Sequence, residues 1–368
     1  MNANVPLPIQ PIQAAPYAHD KSSVSRIMFQ VCLALVPATV FGFYLFGWPA
    51  FHLWAITIIS AYTTEYLCIK MLGDRTARLT DNSALLTAWL LAVSMPPWAP
   101  WWLAVGGGAF AIALGKQIYG GIGSNPFNPA MLARCALLIC FPVQMTTWIT
   151  PQPIFAAQSP GFLEGLAIIL GLHATPDTMT GATALGQLKT ALTMQQHTTD
   201  VLAANFSLKD AITGITSGSL GETSVLFVLA GGLWMLYKRL ITWHVPVSML
   251  ATTAITAGIL HAFNPERYGG ALYHLTSGGI LLGAFFIATD PVTSPASKQG
   301  KLVFGAGCGL VSIIIRVWGG FPEGVAFAVC FMNTLTPLID RWMKPRIFGR
   351  TLRGEPLPIP SSIRGPKV

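Results

Sequence analysis

The stretch Gly120-Gly121-Ile122-Gly123-Ser124-Asn125-Pro126-Phe127-Asn128-Pro129-Ala130, continued by the apolar run Met131 to Cys140 and closed by Phe141-Pro142, decides the fold. A glycine-rich turn leads into a helix start. Asn128 suits the N-cap there and Pro129 the first helical position. The helix behind it is short, apolar and bounded by prolines. Similar punctuation returns further along the chain. Met95-Pro96 matches Asp290-Pro291 at an offset of 195, and Phe141-Pro142 matches Thr336-Pro337 at the same offset. Gly123-Ser124-Asn125-Pro126 matches Gly319-Gly320-Phe321-Pro322 at 196. Proline does recur at span ends for local reasons, but three landmarks at offsets of 195 to 196 point to an internal repeat. Short, proline-broken helices in paired halves are a transporter-like architecture with its working centre between the halves.

Composition sets the solvent. Of 368 residues, 52% are hydrophobic and only 10% charged, with mean hydropathy +0.56. A soluble chain carries about 25% charged residues, so lipid must be the main solvent here. Runs long enough to approach about 30 Å of hydrocarbon fall at 27–46, 49–69, 82–95, 99–115, 128–143, 223–237, 245–263, 271–289, 302–318 and 324–339. The expected fold is therefore all-α: a polytopic membrane protein of about ten transmembrane helices. Two five-helix repeats follow, the second inverted relative to the first, with one long extracytoplasmic loop. Residues 1–20 are polar and proline-rich, without the apolar core of a cleavable signal. The first span is expected to act as its own insertion signal.

Charge gives the orientation. With the N-terminus inside, 17 of the 22 basic residues fall in cytoplasmic segments. Four, Lys189, Lys209, Arg267 and Arg316, fall on the other side, and Arg134 lies within a span. This asymmetry places both termini in the cytoplasm, and it explains the net charge of +8 as a topology signal, without nucleic acid as a partner. The resulting divisions are a cytoplasmic N-terminal segment (1–26), a first membrane repeat (27–143), an outer loop (144–222), a second repeat (223–339) and a basic tail (340–368). The six cysteines form no CxxC pair and read as small buried hydrophobes. Trp98, Trp101, Trp102, Trp148, Trp234 and Trp243 read mostly as markers of the two membrane surfaces.

Few segments can carry chemistry. The turn at Asn125 and Asn128 offers amide groups and a helix N-terminus to a phosphate, a carboxylate or a flavin edge. Its repeat mate, Thr289-Asp290-Pro291-Val292-Thr293, offers a carboxylate that could cap a helix, bind a cation or hold a flavin ring N–H. Charges within spans have a functional default: Arg134 could anchor a phosphate or pair with Asp290. Glu65 is close enough to a span end to snorkel, and Lys116 reads as interfacial. In the outer loop, Leu163 to Leu172 is an apolar patch suited to an interfacial helix. After it comes Asp177-Thr178-Met179-Thr180-Gly181-Ala182-Thr183. Read alone it is a threonine-rich turn. Gly181 and Ala182 leave the backbone beside Thr183 open to an enzyme that would reach its hydroxyl.

Several motifs occur together and in order: Asn82-Ser83-Ala84-Leu85-Leu86-Thr87, the Gly120 to Ala130 turn, Phe141-Pro142, Asp177 to Thr183, Trp243-His244-Val245-Pro246 and Thr289 to Thr293. This set resembles the D subunits of Rnf electron-transport complexes and, closely related, the B subunits of sodium-pumping NADH:quinone reductases. The resemblance runs from about residue 20 to 350. The shorter chain favours the Rnf group.

The resemblance implies a bacterial inner-membrane subunit of an ion-translocating redox complex. In both groups a flavin transferase joins FMN through its phosphate to the last threonine of a Ser/Thr-Gly-Ala-Thr motif with an upstream aspartate, here Thr183 and Asp177, on the periplasmic side. Thr180 replaces the commoner serine, and Ala184 a proline often found there. Neither change removes the acceptor. The implied partners are ferredoxin- and NAD-linked soluble subunits, iron–sulfur membrane subunits and a second subunit with covalent FMN. Electron flow would drive Na+ or H+ across the membrane. A non-covalent riboflavin is also implied, and the turns at Asn125 and Asp290 are its expected walls. Two other readings fit parts of the chain. An inverted-repeat channel explains the broken helices without the Thr183 motif, and a scaffold subunit would carry no cofactor of its own.

Overall fold

A computed structural model describes residues 23–73, 79–156, 159–173, 180–194 and 197–344. The first helix, α1 (Val24–Leu72), is 49 residues long and would span roughly 70 Å if straight. It is not straight. Gly47 has φ 71° and ψ −162°, a conformation that a side chain would oppose, and Pro49 restarts the helix just beyond it. The two arms fold back on each other. Ser25 Oγ at the start of the first arm donates to the Thr80 carbonyl (2.8 Å), beyond the end of the second. Asn82 Nδ2 donates to Ser25 Oγ (2.9 Å). Phe43 packs edge-on against Phe51 and Trp54 across the bend. Two helical arms joined at this bend thus account for two of the apolar runs.

The remaining runs are also helical over most of their length. They form α2 (Ser83–Ser94), α3 (Trp101–Ala113), α4 (Pro129–Cys140), α10 (Val225–Tyr237), α11 (His244–Phe263), α14 (Lys298–Trp318) and α15 (Val325–Trp342). The run at 271–289 is broken into α12 (Ala271–Thr276), α13 (Ile280–Leu282) and a π-helical turn, Gly283–Ile287. Among the described residues three helices, α1, α11 and α14, are long and apolar enough to cross a membrane; α2, α4 and α10 are shorter apolar helices. Large apolar side chains such as Ile59, Ile139, Leu233 and Ile255 stand more than half exposed along them. Surface of that kind requires lipid or a partner. The chain is a multi-pass membrane protein.

Small residues set the helix spacing, as expected where lipid leaves packing to do the work. A side chain at Gly309 of α14 would meet the Met249 carbonyl of α11, and one at Gly108 of α3 would meet the Thr57 carbonyl of α1. Some residues about 195 apart share a backbone conformation or touch each other. Asn82 (φ 60°) and Gly278 (φ 67°) both hold the left-handed conformation just before a helix, at an offset of 196. The Sγ atoms of Cys135 and Cys330, 195 apart, are 4.0 Å from each other. Gly231 rests on the Ala34 carbonyl, 197 residues away.

Between α4 and α10 lies the polar segment. It contains α5 (Pro142–Thr146), α6 (Phe162–Ile169), α7 (Ala184–Thr193), α8 (Thr198–Asn205) and α9 (Leu208–Thr213). A two-residue antiparallel ladder, β1 (Trp148–Ile149) and β2 (Thr180–Gly181), sits between them. The apolar patch after Leu163 is largely helical in α6, whose Gly165 packs on Trp48 and Pro49 at the bend of α1.

Candidate functional site

Thr183 is held from both sides. Upstream, β2 pairs with β1 in the register Trp148↔Gly181 and Ile149↔Thr180. Downstream, Thr183 is the N-cap of α7, and its Oγ1 accepts from the Gly186 N–H at 3.0 Å. The first backbone N–H groups of such a helix have no intrahelical acceptor, and they carry the positive end of its dipole. Buried Leu185 and Leu188 fix α7 against Tyr273. Lys189 Nζ ties it to the end of α14 by donating to the carbonyls of Arg316 (3.4 Å) and Val317 (3.2 Å). Burial pushes the Lys189 ammonium below its ordinary pKa.

The sequence reading of this motif needs one correction. Thr183 is buried, at 7% exposure, although Ala182 beside it is exposed. Gly181 is required for close packing: a side chain there would meet Ser217 Oγ and Thr150 Cγ2 at 2.8 Å. Asp177 lies outside the described residues, and of Thr180 the backbone alone is described.

Two cavities meet at Thr183. One, of about 420 Å³, is lined by Trp148, Gly186, Lys189, Thr190, Met194 and Pro322 among others. The other, of about 400 Å³, is lined by Asp210, Ser217, Glu222, Ser277, Gly278 and Glu323 among others. Beneath the second lies a buried charge network that sequence reasoning missed. Arg134 Nη1 donates to Glu222 Oε1 at 3.0 Å, and its Nη2 pairs with Glu323. Arg134 therefore does not meet Asp290. Burial, followed by the Glu222 charge, pushes the Glu323 carboxyl above the usual range. Arg316 donates to the carbonyls of His274 (2.7 Å) and Ser277 (2.9 Å), clamping the break before α13.

A third cavity does gather the other predicted residues. Asn125, Asn128 and Asp290 all line it, together with Ser83 and Lys116. Its volume is about 80 Å³. Asn128 caps α4, its Oδ1 accepting from the N–H groups of Ala130 (3.1 Å) and Met131 (3.2 Å). Asp290 accepts from the Val292 N–H (3.2 Å) and the Thr293 hydroxyl (3.1 Å). Asn125 Nδ2 donates to the Phe127 carbonyl. Lys116 is not interfacial and Glu65 does not snorkel. They pair with each other at 3% and 1% exposure, and Lys116 also reaches Ser83. Two tryptophans read as surface markers are likewise buried: Trp98 donates to the Phe46 carbonyl, and Trp148 backs the ladder.

Comparison with known proteins gives the family. Residues 11–349 match the family model described as NQR2, RnfD, RnfE family. A protein of Stutzerimonas stutzeri, named as the D subunit of an ion-translocating oxidoreductase complex, is 56% identical over 337 residues, covering 92% of this chain and 95% of that one. Proteins of the same name from Halorhodospira halophila (47% over 346 residues; 94% and 97% covered) and Cronobacter sakazakii (45% over 351; 92% and 98%) are also similar. The chain belongs to the NQR2, RnfD, RnfE family.

Proposed function

We propose that this chain is the D subunit of an ion-translocating oxidoreductase complex, with FMN joined through its phosphate to Thr183. The supporting observation is the position of Thr183: a hydroxyl at a helix N-terminus, between two cavities of the size that small ligands use. The residues present fit the group. An ester at Oγ1 leaves phosphate oxygens beside the free N–H groups of α7, where anions are favoured. Trp148 offers a ring face and Lys189 a positive charge in the adjoining cavity, and Lys189 also keeps α7 fixed against α14. When bound, the flavin supplies electron transfer, at a potential set by such neighbours. Because Thr183 is buried and engaged as a cap, attachment requires α7 to loosen from β2 while the transferase acts.

The architecture we infer is ten spans in two inverted repeats, with Asn82 and Gly278, and Cys135 with Cys330, as equivalent positions. The basic residues orient it with both termini in the cytoplasm and Thr183 outside, in a bacterial inner membrane. Its partners would be the other redox subunits of the complex and a flavin transferase. The inner cavity brings Asn125, Asn128 and Asp290 together, and these side chains are the walls of the site we propose for a non-covalent riboflavin. No step is assigned to it.

Mass analysis of the protein produced with its native transferase tests the attachment. The Oγ1–P bond should add the mass of FMN less one water to the peptide containing Thr183. Thr183→Ala should abolish the gain and Thr183→Ser should retain it. An unmodified Thr183 peptide from folded, transferase-exposed protein would leave the channel or scaffold readings.

A further inference from the structure

The charge pattern leaves four basic residues on the non-cytoplasmic side, and two of them meet. Lys189 of α7 and Arg267, in the turn after α11, line one cavity of about 380 Å³ with Tyr268, Trp318 and Gly320 among others. No Asp or Glu is among its lining residues. It shares Lys189 with the cavity beside Thr183, but Thr183 itself does not line it.

The positive character of this cavity is built in. The last carbonyls of α14 form the negative end of that helix. Lys189 Nζ offsets them by donating to the carbonyls of Arg316 (3.4 Å) and Val317 (3.2 Å), and an ammonium has a third N–H left to offer. The turn that carries Arg267 is fixed. The N–H groups of Arg267 and Tyr268 donate to the Asn264 carbonyl at 3.2 and 3.1 Å, and His261 Nδ1 lies 2.7 Å from the Tyr268 carbonyl. The Arg267 guanidinium is 5.8 Å from the Tyr268 ring, which is 6.4 Å from the ring of Trp318. Arg267 is exposed, and the carboxylate next to it in the chain, Glu266, is set against His197 at 3.4 Å instead.

Position decides what kind of anion suits it. The cavity sits where α11 and α14, both long and apolar enough to cross a membrane, pack together near their C-terminal ends through Ala257, Ile313 and Val317. An exposed apolar stripe climbs each helix to that end at four-residue spacing: Ile255, Ile259 and Phe263 on α11, and Leu310, Ile314 and Trp318 on α14. Exposed apolar surface capped by aromatics and cations matches acyl chains below a phosphate headgroup. A soluble anion would use the cations and leave the stripes bare.

We propose that this cavity binds the phosphate of an anionic glycerophospholipid between Lys189 Nζ and the Arg267 guanidinium, with its acyl chains along the stripes of α11 and α14. The site does not depend on whether Thr183 bears a flavin. A lipid held there would tie α7 to the membrane end of α14.

Native mass spectrometry of the full chain in mild detergent, titrated with phosphatidylglycerol or with phosphatidylcholine, tests this. The first phosphatidylglycerol should bind at least about tenfold more tightly than the first phosphatidylcholine. Arg267→Gln should remove the difference. So should Gly320→Glu, which sets a carboxylate at the cavity without disturbing the packing, since a Cβ there meets nothing within 4 Å. Lys209→Gln, the same loss of charge at an exposed residue outside the cavity, should keep the wild-type preference. Glycerol 3-phosphate, which has the phosphate without the acyl chains, should not displace the lipid at equal concentration. Equal binding of the two lipids by wild type, or a preference kept in either cavity variant, would overturn the site. Displacement by glycerol 3-phosphate would overturn the lipid assignment in favour of a soluble phosphate. The same masses report whether Thr183 carries FMN, so the two outcomes are read separately.

Discussion

At the scale of single residues, the buried charges are set in pairs. Glu65 and Lys116 are both nearly inaccessible and neutralise each other, with Gln117 donating to Glu65 at 3.1 Å. Removing one partner leaves an isolated buried charge, which costs about 3–5 kcal/mol, whereas removing both with neutral groups costs far less. Lys116→Met should therefore lower the unfolding temperature of the purified chain sharply, and Glu65→Gln added to it should restore most of the loss. Equal instability of the single and double variants would show that the pair is not what holds this region. The sequence displayed Glu65 as a charge near a span end and nothing more. Its partner lies 51 residues on, and that distance carries no local pattern. The same holds for Arg134, whose partners are 88 and 189 residues away. The Thr183 motif, by contrast, could be singled out as a candidate because its residues adjoin one another in the sequence.

At the scale of elements, the two helix breaks differ in what they tolerate. Asn82 adopts φ 60° in contact with Ser25, and asparagine accepts this conformation at modest cost. Gly278 adopts φ 67° in a crowded place. A Cβ there would lie 2.5 Å from Leu185 Cδ1 and 2.9 Å from Arg316 Nη2. Asn82→Gly should leave the fold intact, with a small loss from the missing hydrogen bonds. Gly278→Asn should push α7 away from the break, and faster proteolysis within residues 184–193 of membrane-embedded protein would reveal it. If both variants resist protease equally, Gly278 is not the seat of α7. The apolar runs were readable from hydropathy, and the bend of α1 falls where two of them, 27–46 and 49–69, are separated by Gly47 and Trp48. The ladder between β1 and β2 was not. Two residues on each side give no periodic signal, and Trp148 in a membrane context reads as a surface marker.

At the scale of the whole molecule, the Arg134 network ties an early helix, α4, to the entries of two late ones, α10 and α15. It also gives stability a pH dependence of definite sign. The Glu323 carboxyl is raised from 4.5 to about 8, chiefly by burial and then by Glu222, with Arg134 and Arg316 opposing. The folded state thus holds this proton more tightly than the unfolded one. The stabilisation is complete below the unfolded value and is lost as pH rises through the folded one. The unfolding temperature should fall across that window, and Glu323→Gln should flatten the fall. A wild-type profile that rises with pH over the same window would contradict this. The expectation of paired halves rests on three proline landmarks. The contacts of Cys135 with Cys330 and of Ala34 with Gly231 required the fold, because no local pattern marks partners so far apart in sequence.

The hydrogen bonds from Ser25 to Thr80 and from Asn82 to Ser25 have a consequence for biosynthesis. All their members lie within the first 82 residues, so the α1 hairpin can latch while the rest of the chain is still being made. Gly231, which seats against Ala34 on that hairpin, emerges 149 residues later. At roughly 5–20 residues per second, that is a delay of about 7–30 s. Throughout that interval the face around Ala34 stands open in the bilayer, and lipid or the insertion machinery must cover it until its own late half arrives.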